Sequence, residues 1–253
     1  MQINGLAAVV TGGASGLGAA TATHLASLGA RVAVVDINQS AAEAMAAKIG
    51  GIGLACDVAD GPSAEAAFAA AKAKHGPVRI LVNCAGVGTA GRIVGRDGPL
   101  ALAAFERVVR INLIGSFNML RLAAAEMSAA DAMEENERGV IVNTASIAAY
   151  EGQVGQPAYA ASKGGVVGMT LPAARELARA GVRVVTIAPG LFHTPMVEGL
   201  PEETQRSLGA SIPYPSRLGR PSEYAELVAH IVQNRFINGE TIRLDGALRM
   251  APR

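Results

Sequence analysis

The sequence predicts an α/β fold: one domain built on a doubly wound, parallel, seven-stranded sheet flanked by helices. Two observations point there. Short runs that are apolar almost throughout alternate with Ala-rich segments of helical spacing along the whole chain, as expected of parallel strands covered on both faces by crossover helices. The 253 residues also suffice for one large domain with a sizeable core and are few for two.

In chain order, "LAAVVTGG" (6–13) reads as the first strand, followed by a helix over 15–28. "ARVAVVD" (30–36) and "IGLACDV" (52–58) are the next two strands, with helices over 40–49 and 62–74. "RILVNCAG" (79–86) is the fourth strand and runs into an inserted loop, 86–100. A long helix is expected over 100–126, then a polar loop over 128–139, "SAADAMEENERG", which reads as a solvated excursion. "GVIVNTAS" (139–146), a helix over 157–180, "GVRVVTIAPG" (181–190) and "GETIRLDG" (239–246) complete the series. No linker interrupts it, so 1–253 is expected to be a single domain. The segment 190–219 follows the sixth strand and mixes Phe192, Met196, Val197, Leu200, Leu208, Ile212 and Tyr214 with prolines and acidic residues. It is expected to be a lid with an apolar inner face over the carboxyl edge of the sheet, where ligands bind in such folds; a surface helix packed on the domain is the alternative.

Composition excludes several classes. Half the residues are apolar and the net charge is +1, which argues against disorder and against a general binder of nucleic acid or of a membrane surface. Cys56 and Cys84 lie in or beside apolar runs and are expected to be free, buried thiols in a reducing compartment. No Cys/His spacing suggests a metal. The start, "MQINGLAAVVTGG", lacks a signal or transit pattern, and no run of ~20 apolar residues is evident, so a cytoplasmic protein is expected.

Two stretches carry chemistry. After the first strand comes "TGGASGLG" (11–18), with Gly12, Gly16 and Gly18, then a helix. Such a turn lets backbone approach a pyrophosphate, and the helix start offers unpaired N–H groups. A Rossmann-type site is therefore expected, with Gly12, Ser15, Gly16, Leu17 and Gly18 against the cofactor. Asp36 ends the second strand, 18 residues after Gly18, where a carboxylate accepts hydrogen bonds from the adenosine ribose and repels a 2′-phosphate. With "INQS" after it and no arginine, this selects NAD over NADP; a plain turn or helix-cap role for Asp36 is the alternative. The second stretch is "QPAYAASKGG" (156–165), where Tyr159 and Lys163 share one helix face. A phenol of pKa ~10 is a poor acid–base group near neutrality. Bringing it near 7 takes roughly 3 units, about 4 kcal/mol, which a lysine and a nicotinamide cation together are expected to supply. Alone, such a pair is an ordinary surface pair.

Taken in order, TGxxxGxG, Asp36, "NCAG", Ser146 placed 13 residues before Tyr159, and YxxxK resemble the short-chain dehydrogenase/reductase family over the whole chain. The resemblance implies Tyr159 as general acid/base, Lys163 as holder of the nicotinamide ribose and tuner of Tyr159, and Ser146 as the group that orients the substrate oxygen. It implies that Asn112, in "RINLIG", helps hold a proton-relay water. It assigns Asp57 and Val58 to the adenine, Asn83, Cys84, Ala85 and Gly86 to the adenosine half, and Pro189, Phe192 and Thr194 to the carboxamide end. Longer matches, including "IAPGLFHTPM" and "NGETIRLDGALRM", resemble the branch called type 10 17β-hydroxysteroid or type II 3-hydroxyacyl-CoA dehydrogenase. That branch implies NAD-linked oxidation of L-3-hydroxyacyl-CoA thioesters, some activity on hydroxysteroids and simple alcohols, and a homotetramer. Gln153 and Gln156 are expected near the polar part of the substrate. Arg92 and Arg96 are candidates for the CoA phosphates, or else solvated loop charges. His24, His75, His193 and His230 are given no role. A 3-oxoacyl-acyl-carrier-protein reductase, or a nucleotide-sensing scaffold without catalysis, is the competing reading; NAD selection disfavours the first and retention of Ser146, Tyr159 and Lys163 the second.

Overall fold

The computed structural model describes residues 1–96 and 98–252, with Met196 described in its backbone only; the place of the Met196 side chain in the lid lies outside the described residues. In chain order the elements are β1 (Ala7–Thr11), α1 (Gly16–Ser27), β2 (Arg31–Asp36), α2 (Gln39–Ile49), β3 (Ile52–Ala55), α3 (Gly61–His75) and β4 (Val78–Asn83). Then come β5 (Val94–Gly95), β6 (Gly98–Pro99), α4 (Leu102–Val109), α5 (Gly115–Ala129), β7 (Gly139–Thr144), α6 (Pro157–Leu177) and β8 (Val182–Pro189). The last are α7 (Pro195–Glu198), α8 (Glu202–Ala210), α9 (Pro221–Gln233) and β9 (Thr241–Leu244).

Seven strands form one sheet in the order β3-β2-β1-β4-β7-β8-β9, every pair parallel. The order reverses between β1 and β4, so a crevice opens at their carboxyl ends. The apolar runs are covered on both faces. Along β1, Val10 joins Leu25, Val34 and Tyr224 on one side, while Val9 joins Phe68, Leu81 and Met119 on the other. That follows from the two-residue period of a strand, and it is why these strands read as unbroken apolar runs. Local chemistry sets the helix starts: Asn38 Oδ1 accepts from Ala41 N (3.1 Å) at α2, and Asp60 Oδ2 from Ser63 N (2.9 Å) at α3.

Four expectations need correction. The helix expected over 100–126 is α4 and α5 joined by a π-helical turn, Arg110–Ile114. The combined helix, Leu102–Ala129, is 28 residues long and apolar enough to cross a membrane by length and composition; half of its most apolar window is buried against the rest of the protein, and α5 packs on β4 and β7. The loop 86–100 contains the small antiparallel pair β5 and β6. The loop 128–139 is not simply solvated. Its Glu137 is 6% exposed and bonds Arg183 Nε at 2.8 Å and Arg235 Nε at 3.1 Å. In the lid, Phe192 and Ile212 are buried, but Leu200 and Tyr214 are exposed, so only part of its apolar content turns inward.

Candidate active site

The crevice is held open by what β1 and β4 do at their ends. Thr11 Oγ1 accepts from both Cys84 N and Ala85 N at 3.1 Å, tying the two strands where they diverge. Gly12 lies at φ +59°, and a Cβ there would sit 2.9 Å from the Ala85 backbone. A Cβ on Gly18 would run into the Gly12 carbonyl, so the turn closes tightly on the start of α1. Asp36 links this turn to the start of α2: its Oδ2 accepts from Ala14 N (3.3 Å) and its Oδ1 from Asn38 N (3.1 Å). The carboxylate therefore has the turn-shaping role weighed against cofactor binding, and it also lines the cleft.

That cleft has a volume of about 790 Å³. Of the catalytic, cofactor and substrate-oxygen residues assigned from sequence, all line it except Asn83 and Asn112, and the candidate cations Arg92 and Arg96 lie outside it. Asn83 is turned inward. It is 2% exposed and donates from Nδ2 to Asn143 Oδ1 (3.0 Å) and Ser116 O (3.2 Å), bracing β4 against β7 and α5 rather than facing a nucleotide. Asn112 sits in the π-helical turn, fully buried. Its side chain closes a double bond with Val87, accepting from N at 2.8 Å and donating to O at 2.9 Å, and donates to Ser162 Oγ at 3.0 Å. It thus pins the strand end after β4 to α6. Insertion of a π turn at such a point is a common way of re-aiming helical groups.

Ser146, Tyr159 and Lys163 meet at one end of the cleft. Ser146 ends the β7 run, with its Oγ accepting from Ala148 N at 3.1 Å. Ser146 and Tyr159 both line the cleft, and the Ser146 hydroxyl favours the ionised form of the phenol. Lys163 is 4% exposed, its Nζ donates to Thr144 O at 2.7 Å and stands 5.8 Å from the Tyr159 ring centre. Burial pushes the lysine down to about 8. Burial also pushes the Tyr159 phenol up from its ordinary value, against a smaller opposing effect of the Ser146 hydrogen bond. The lowering expected of Lys163 is therefore not delivered by the protein alone. Taking each group out of water favours its neutral form.

Gln153 and Gln156 line the cleft, but part of their bonding capacity builds the loop: Gln153 Nε2 donates to Ala251 O (3.0 Å) and Gln156 Oε1 accepts from Gln153 N (3.1 Å). Arg92 is exposed and borders an adjoining hollow of about 410 Å³ together with both glutamines. Arg96 is exposed and borders neither space, whereas Arg107 lines the main cleft. Val197 of the expected lid lines it, as do Ile37, Ile111 and Met250, which were not assigned from sequence. Ile37 follows Asp36 directly, a signal that was available; Met250 lies too far along the chain to be placed. Cys56 is buried; Cys84 points its thiol toward Thr144 and Tyr224, and burial pushes it up. Among the described residues no histidine lines the cleft; His193 pairs with Glu198 at 3.1 Å in the lid.

The arrangement fits a dinucleotide. A glycine turn and helix start face one part of the cleft, a carboxylate marks the ribose end, and a buried ammonium with unused donors marks the other. A Cβ on Gly86 would stand 3.1 Å from Asn112 Oδ1 and 3.5 Å from Lys163 Nζ, so glycine leaves the floor of the cleft open there. The family model described as short chain dehydrogenase matches residues 6–205. The chain belongs to that family. It is 51% identical to the 3-hydroxyacyl-CoA dehydrogenase type-2 of Homo sapiens, over 99% of this chain and 98% of that one. Its structure resembles 3-hydroxyacyl-CoA dehydrogenase type-2 from Mycobacterium avium, with TM-score 0.94, 45% identity and 98% of each chain covered. It also resembles a 3-ketoacyl-(acyl-carrier-protein) reductase from Brucella melitensis complexed with NADH, at TM-score 0.86 and 31% identity, over 98% of this chain and 100% of that one. The protein is an NAD-linked oxidoreductase, and the acyl-carrier-protein reductase reading rests on the more distant of these likenesses.

Proposed function

We propose that this short-chain dehydrogenase interconverts 3-hydroxyacyl-CoA and 3-oxoacyl-CoA, acting also on hydroxysteroids and simple apolar alcohols. The observation that carries the reading is the convergence of Ser146, Tyr159 and Lys163 in a largely apolar cleft whose other end is marked by Asp36. Full-length relatives named for that activity support it.

NAD, when bound, supplies the hydride acceptor. The chain handles the proton. Tyr159 first gives its own proton to solvent; its phenolate oxygen then takes the proton of the substrate hydroxyl in oxidation, and the phenol returns it in reduction. The Ser146 hydroxyl, which lines the same cleft, holds the substrate oxygen beside that phenol. Lys163 places a positive charge behind the phenol and offers its remaining N–H groups to the ribose. Asn112 fixes the backbone around Val87 and the Ser162 turn of α6, so it acts as a positioning residue; a proton-relay water held nearby remains part of the proposal. The Gly-rich turn and Asp36 select the dinucleotide and exclude NADP by charge. Arg92, which borders the hollow beside Gln153 and Gln156, is the cation this reading assigns to the CoA phosphates.

Exposed Leu102, Ile114 and Phe117 on α4, the π turn and α5, with Leu171 on α6, support self-association into a homotetramer. The free thiols Cys56 and Cys84 support a reducing, cytoplasmic setting. The deciding experiment compares kcat/KM, with NAD, for a short 3-hydroxyacyl-CoA and the matching free 3-hydroxy acid. The thioester is expected to be better by at least about tenfold, with the gap narrowing as salt rises. Equal values would leave only a generic apolar-alcohol dehydrogenase.

A further inference from the structure

The segment after β9 folds back over the cleft. Met250 lines the cleft on the side of Gln153 and Gln156. It also packs with a small satellite cluster of Ile147, Ile212 and Leu248. Ile147 follows Ser146 and Ile212 belongs to the lid, so Met250 packs against a cluster drawn from the catalytic turn, the lid and its own segment while it lines the cleft.

Among the described residues beyond Leu244 no regular element holds this segment. Its place is set by the turn that carries the two glutamines. Val154 N donates to Pro252 O (3.0 Å), Gln153 Nε2 to Ala251 O (3.0 Å), and Met250 N to Glu151 Oε2 (3.2 Å). Behind these bonds lies a knot of charge. Arg243 of β9 grips Glu151 with two parallel bonds, 2.7 and 3.0 Å, and reaches Asp245 at 2.7 Å and Leu248 O at 3.0 Å. Its guanidinium stands 5.2 Å from the Tyr150 ring centre. Arg249 adds looser contacts to Glu151 (3.4 Å) and Asp245 (3.3 Å) from an exposed position. Glu151 and Arg243 are each 22% exposed and Asp245 7%, so the knot is sheltered, unlike an ordinary surface pair. Glu151 therefore serves two partners at once: the sheet, through Arg243, and the Met250 backbone.

We propose that Met250 is a specificity-determining residue for the apolar part of the substrate, and that Glu151 and Arg243 are positioning residues that hold it in the cleft wall. The acyl chain in this statement rests on the function proposed above, but the same wall would meet the chain of any apolar secondary alcohol.

The test measures kcat and KM for wild type, Met250→Ala, Glu151→Gln, their double variant and Arg243→Lys. Two substrate series are used, 3-hydroxyacyl-CoA thioesters and 2-alkanols, each with a short and a medium chain. Met250→Ala is expected to lower the medium-to-short ratio of kcat/KM by about fivefold, mostly through KM, because lost methylene contact weakens binding of the longer chain. Glu151→Gln is expected to lower the same ratio about threefold, with Arg243→Lys intermediate because it keeps charge and loses the fork. The double variant should match Met250→Ala rather than the product of the two, since both act through one side chain. The dissociation constant of NADH, read from nucleotide fluorescence, should stay near the wild-type value throughout. An unchanged ratio for Met250→Ala in both series overturns the proposal, as do independent, multiplicative effects in the double variant. Failure of thioester turnover with a lowered 2-alkanol ratio removes the acyl-CoA reading and leaves Met250 in place.

Discussion

Two buried cations in this molecule are treated in opposite ways. Arg183, on β8, is 7% exposed and Lys163, on α6, is 4% exposed. Arg183 bonds Glu137 at 2.8 Å and four carbonyls, of Ile231, Val232, Asn234 and Ile237, at 2.8–3.2 Å. Lys163 makes one such bond, to Thr144 O. Burial pushes both downward; beside Arg183 the Glu137 carboxylate pushes back, whereas Lys163 falls to about 8. A saturated buried cation ties elements together. An unsaturated one, at the wall of an open cleft, keeps donors for something that is not part of the chain.

Substitution at each cation is the sharpest way to break this contrast. Lys163→Met is expected to cost about 10²–10³-fold in turnover and to weaken NADH binding, while the protein still folds. Tyr159→Phe is the companion: turnover falls about 10³-fold and NADH binding survives. Steady-state kinetics and nucleotide fluorescence read both, and near-normal turnover in Tyr159→Phe would remove the proposed proton transfer. Arg183→Met should do the reverse. Stability, from urea unfolding, drops by about 3–5 kcal/mol because a buried partner loses its counter-charge, and kcat per folded site stays near wild type.

Titration sharpens the contrast further. Between about 8, the folded value of Lys163, and the ordinary lysine value near ~10.4, the unfolded chain binds a proton that the folded chain does not. Stability then rises with pH in that window; below it the lysine is charged in both states and the cost of burying it is fully present. Unfolding free energies of wild type measured against Lys163→Met should gain up to about 1.4 kcal/mol per pH unit between those limits. A flat difference would mean that the lysine is not destabilised by burial. The smallest expected effect is at Asp36: Asp36→Ala should weaken NAD and narrow its preference over NADP by about tenfold, read as a ratio of kcat/KM.

Much of this molecule was legible before its structure. The seven strands, the glycine turn with Asp36 at the next strand end, and the Tyr159–Lys163 pair on one helix face follow from patterns within a few dozen residues. Apolar continuity, turn chemistry and helical spacing are local consequences of backbone geometry, so the sequence by itself determined them. Other features were decided only by the assembled fold. Glu137 sits in a stretch whose composition reads as solvent-facing, and becomes buried because Arg183 and Arg235 arrive from distant elements. Asn83 reads as a cofactor residue and turns inward because β7 presents Asn143 beside it. Asn112 depends on a π turn within an otherwise regular helix. The phenol of Tyr159 moves up rather than down because burial, set by packing of the whole site, outweighs the opposing effect of the Ser146 side chain. In each case the deciding partner or the loss of water comes from chain far away in sequence. Local pattern determines which groups are present on a strand or helix, while solvation and pairing depend on what the completed fold brings against them.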